Sequence, residues 1–105
     1  MNFAISNKAD WKGVNTQVLY NNSTNCSSIY LHGHLIATYE HNLKAVKLSS
    51  CGYETVTTKS RLNAILEELI AGARVFQKNF DWYLSYNNQT VDFWDGMILS
   101  QGEVV

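Results

Sequence analysis

The chain has 105 residues, of which 46% are hydrophobic and 16% charged, with no proline and two cysteines. That length fits one domain over residues 1–105, because halves of about fifty residues would each sit near the size at which a core becomes marginal. A formal net charge of −1 supplies none of the overall positive field that draws proteins onto nucleic acid or anionic lipid, and no apolar run is long enough to span a bilayer.

The first residues, Met1 to Ser6, lack the basic and apolar regions of a secretory signal, which points to the cytoplasm. In that compartment Cys26 and Cys51 are expected to be free thiols rather than a disulfide framework. Charge is uneven along the chain. Residues 44–78 carry six basic against three acidic groups, whereas the tail from residue 79 has four acids and no Lys or Arg.

In chain order, Val14 to Tyr20 alternates as a strand and Asn21 to Asn25 is a polar loop. From Ser28 to Ser49 the pattern is again that of strands. Ile29, Leu31, Leu35, Ala37 and Tyr39 share odd parity, so they line one face if the chain runs straight or turns through three residues at His32-Gly33-His34. A two-residue loop at His32-Gly33 would break that face. For the next hairpin, a two-residue turn at His41-Asn42 sets Ala37 opposite Val46 and Leu35 opposite Leu48, the register expected from pairing apolar residues.

Leu62, Ile65, Leu66, Leu69 and Ile70 fall at i, i+3, i+4, i+7 and i+8, a single apolar stripe that predicts a helix over about 58–71. Thr57 or Thr58 can cap its start, and Gly72 suits a left-handed residue at its end. Beyond it, Arg74 to Gln77 and Trp82 to Tyr86 flank a turn. A strand near Val91 to Phe93 follows Asn87-Asn88, and Asp95-Gly96 turns the chain into Met97 to Leu99. One helix cannot supply the crossovers of a parallel sheet. The expected fold is therefore α+β, a mainly antiparallel sheet of about five to seven strands with the helix packed on one face.

At Leu31-His32-Gly33-His34-Leu35-Ile36-Ala37, together with Thr57-Thr58-Lys59-Ser60-Arg61-Leu62-Asn63, the sequence resembles a group of small proteins encoded by tailed bacteriophages. The resemblance runs from about Gly13 through Trp82-Tyr83-Leu84 to Asp95-Gly96-Met97, and departs from the Leu-His-Gly-Asn pattern in having His34. It implies a viral origin and a host-directed role inside the cell, and it carries over no catalytic residue or cofactor.

Three constellations bear on chemistry. His32 and His34, two apart, would share a strand face and could hold a metal with Cys26 or Cys51, but a turn at Gly33 separates the rings, and no metal site is expected. Cys51 precedes the helix without any nucleophile signature around it, so an unreactive thiol is the expected outcome. The segment Thr57-Thr58-Lys59-Ser60-Arg61 adds hydroxyls and two cations to a helix N-terminus, the ingredients of a phosphate site, although capping alone would also account for it.

Tyr30, Tyr39, Tyr53, Trp82 and Tyr86 are candidates for a partner-binding surface, if one sheet face stays uncovered. These features lead to a non-enzymatic phage protein that binds a host macromolecule, taken to be a host protein, with a homodimer also expected. The alternative is a binder of nucleic acid, nucleotide or another phosphorylated small molecule through the basic helix start.

Overall fold

Short alternating segments separated by Asn, Gly and Asp turns fold as antiparallel strands, and the one stretch of 3.6-residue periodicity folds as a helix. The computed structural model describes residues 4–100 and a short strand at 103–104. In chain order the elements are β1 (Trp11–Lys12), β2 (Thr16–Asn21), β3 (Cys26–Leu31), β4 (His34–Glu40), β5 (Ala45–Leu48), α1 (Val56–Leu69), β6 (Arg74–Lys78), β7 (Asp81–Tyr86), β8 (Gln89–Asp92), β9 (Met97–Ser100) and β10 (Glu103–Val104). Seven strands make one sheet in the order β1-β2-β3-β4-β5-β9-β10, and β6-β7-β8 form a second. The α+β class is as expected, but the strands following the helix divide between two sheets.

Two expected registers are corrected. The β3–β4 turn is the two-residue form at His32-Gly33, with both residues at positive φ (50° and 79°). The apolar face survives because a bulge resets its parity: Tyr30 pairs with Leu35 but Ile29 pairs with Ala37, leaving Ile36 as the extra residue. Leu35 therefore turns outward, 42% exposed, while Ile36 and Ala37 are both buried. The β4–β5 connection spans four residues rather than two, so Ala37 faces Leu48 and Tyr39 faces Val46. A slip of two residues keeps the parity, and hence the buried face, unchanged.

Helix α1 starts and ends about two residues before its expected limits. Its cap is Thr55, whose hydroxyl accepts from the Thr58 backbone N–H at 3.2 Å, in place of Thr57 or Thr58. Gly72 (φ 89°) follows the last turn and takes the chain back toward β6. Leu62, Ile65 and Leu66 are fully buried, in one cluster with Val18, Ile29, Ile36, Val46, Leu48 and Leu99 of the large sheet and Val75, Trp82 and Leu84 of the small one. The core thus lies between one face of the large sheet and a second layer made of the helix and the small sheet. Asn63 joins the parts of that second layer: its amide donates to the Val75 carbonyl (3.0 Å) and accepts from the Val75 N–H (2.7 Å). Those backbone groups face away from β7, so one side chain closes the outer edge of β6. Among the described residues no helix is long and apolar enough to cross a membrane.

Candidate functional site

Three connections meet at one end of the large sheet: the β1–β2 loop, the β3–β4 turn and the segment leading from β5 into α1. The His32 N–H donates to the Asn15 carbonyl at 2.8 Å, tying the first to the second. Asp95 anchors the third, since its Oδ1 accepts from both Ser50 N (2.7 Å) and Ser50 Oγ (2.9 Å). Cys51, at φ 54°, donates its thiol to the Leu35 carbonyl at 2.9 Å. Both cysteines are free.

Between the second and third connections lies a cleft of about 320 Å³. Leu31 and Ile36, both buried, supply its apolar floor, while His32, His34, Tyr53, Thr55 and Thr57 stand around it. The rings of His34 and Tyr53 are in contact, centroids 4.7 Å apart and planes tilted by 35°. Of the hydroxyls, Ser50 Oγ is engaged by Asp95, and Thr58 Oγ1 lies 3.0 Å from Thr55 Oγ1. An apolar floor with a few polar groups above it suits the binding of a side chain or small ligand. A smaller cleft of about 160 Å³ lies across the His32-Gly33 turn, lined in part by Lys12, Asn15, Thr16, Gln17 and Tyr30. Trp11 lies over Gly13 so closely that a Cβ there would come within 2.5 Å of its ring, so any larger residue would displace the indole.

Each candidate residue can be placed against this geometry. Thr57 and Thr58 line the larger cleft, but Lys59 and Ser60 line a separate groove with Glu67 and Arg74. Successive helical residues are rotated by about 100°, so the side chains of these positions diverge between the two. Arg61 lines neither, and its buried Nε has no hydrogen-bond partner among the described residues. Of the aromatic candidates, Tyr53 is 52% exposed at the larger cleft and Tyr30 borders the smaller one. Tyr39 and Tyr86 lean on the core, and Trp82, only 4% exposed, is part of it. No group of three or more His, Cys, Asp or Glu side chains able to hold a metal ion occurs among the described residues.

A second polar cluster had no signal in the sequence, because the large-sheet register creates it. His41 Nε2 lies 2.8 Å from Ser27 Oγ, and its ring meets Tyr20 and Tyr39 edge to face. Burial pushes the His41 pKa below its ordinary value and nearby Lys8 adds to this, with Glu40 opposing. Cys26 donates to Glu40 Oε2 at 3.1 Å, and that bond, with burial, raises the thiol pKa. Ser27 has no solvent exposure, so its contact with His41 holds strands together rather than presenting a nucleophile.

A family model described as Kyanoviridae Gp96 protein matches residues 1–100. The chain belongs to that family of phage proteins. No curated protein and no solved structure matches it. Membership in the family establishes a phage protein.

Proposed function

We propose that this phage protein is a non-enzymatic interaction protein that binds a host protein, and that the larger cleft receives an apolar side chain of that partner. The observation carrying this reading is the set of exposed apolar side chains around the clefts. Val14, fully exposed in the β1–β2 loop, lines the smaller cleft, and Tyr53, 52% exposed, lines the larger one between Ser50 and the Thr55 cap. A concave apolar site surrounded by such side chains fits the anchor-and-pocket arrangement that dominates protein interfaces. The hydroxyls of Ser50 and Thr58 are already engaged within the protein, which favours binding over nucleophilic chemistry. The nucleotide reading has less support, since Lys59, Ser60 and Arg61 do not share the cleft of Thr57 and Thr58.

Photo-crosslinking in a host lysate tests the reading. A crosslinking residue at Tyr53 should give one discrete protein adduct, absent when the same residue is placed at the still more exposed Phe80. Equal labelling from both positions, or none from Tyr53, would refute a docking role for the cleft.

A further inference from the structure

We infer that the partner segment read by this end of the molecule is an acidic peptide, with an apolar side chain in the larger cleft and a carboxylate in the smaller one beside Lys12. This rests on the host-protein reading above and adds the chemistry of what is recognised. The two clefts share His32 and lie on either side of the His32-Gly33 turn, so a peptide crossing the turn can enter both. Their linings differ in kind: Leu31 and Ile36 form the floor of one, and Lys12, Asn15 and Gln17 offer donors in the other. Asn15 Oδ1 accepts from the Thr16 hydroxyl at 2.9 Å, which fixes the amide so that its nitrogen is the group free to donate to a ligand.

The charge distribution agrees. The chain as a whole has nine acidic residues against eight Lys and Arg, yet no Asp or Glu lines either cleft, and Glu54, next to Tyr53, stands outside both. A lining with a cation and no anion favours a negatively charged partner and disfavours a positive one. His32 adds to the argument. It occupies the first position of a left-handed turn at φ 50°, a conformation that His, like Asn and Asp, adopts more readily than most residues. Placed between the clefts, its ring can donate a hydrogen bond to a passing carbonyl or carboxylate.

The test is selection from a library of random short peptides on the intact protein, followed by calorimetry with the strongest synthetic peptide. Selected sequences should pair an aromatic or aliphatic residue with nearby Asp or Glu, and binding should weaken as salt rises. Lys12→Glu should weaken it by about tenfold or more, the scale of one charge-assisted hydrogen bond. His32→Asn should weaken it several-fold while leaving the melting temperature unchanged or raised, because Asn suits the turn. Peptides that bind without acidic enrichment, or with indifference to Lys12→Glu and salt, would overturn the acidic assignment and leave the apolar docking reading standing. Failure to select any peptide whose binding is lost in Tyr53→Ala would overturn both, as would selective binding of a short oligonucleotide to the same end.

Discussion

The β3–β4 and β6–β7 hairpins close through the same two-residue left-handed turn, yet they are held by different means. His32 and Gly33 (φ 50° and 79°) join strands that are flanked on both sides by β2 and β5, so backbone ladders complete the hydrogen bonding. Asn79 and Phe80 (φ 52° and 70°) join β6 to β7, and at the outer edge of β6 the Asn63 side chain bonds both backbone groups of Val75. A strand inside a sheet is satisfied by its neighbours, whereas an edge strand has to borrow a partner from another element. Each turn also carries one residue other than the Asn or Gly that such turns favour most. His32 stands where Asn fits and lies between two clefts; Phe80 stands where Gly fits and is 90% exposed.

The largest expected effect removes what the two hairpins share. Leu66 is buried in the cluster that contains residues of both sheets, so Leu66→Ala should cost about 2–5 kcal/mol in denaturant unfolding and lower the hydrogen-exchange protection of both hairpins together. Loss of protection in only one would mean that the sheets do not share a core.

Asn63→Ala should separate them. It strands the Val75 N–H and carbonyl, at a cost of about 1–3 kcal/mol, and β6–β7 amides should exchange faster while β3–β4 amides keep their protection. Equal acceleration in the two hairpins would contradict the picture of an edge held by one side chain.

The smallest effect lies at the second turn. A bulky residue at positive φ costs roughly 1–2 kcal/mol, part of which glycine would return as unfolded-state entropy. With its side chain almost fully exposed, Phe80→Gly should therefore raise stability by up to about 1 kcal/mol in thermal unfolding. A marked loss would show that the Phe80 ring is held by contacts of its own.

Much of the local structure was legible before any coordinates. The Leu62 to Ile70 stripe marked the helix because a 3.6-residue period has no other compact use, and Asn87-Asn88 and Asp95-Gly96 marked turns because such residues tolerate positive φ. Register was not legible. The bulge at Ile36 and the four-residue loop at His41 to Lys44 depend on which side chains the core can accept, and that is a property of the opposing layer. The candidate site was half legible: Thr57, Thr58, Tyr53 and Tyr30 were named from the chain, but their association with His32, His34 and Lys12 was not.

Sequence alone determined an antiparallel α+β chain with one core-facing helix, since period and turn chemistry act between residues only a few positions apart. Tertiary structure decided which strands share a sheet and which side chains face a cleft. Thr58 and Lys59 are neighbours in the chain and point into different grooves, while Ile36 and Thr57 are distant in the chain and line the same one. Such proximity is set by how layers pack, and packing depends on all the side chains of the core at once.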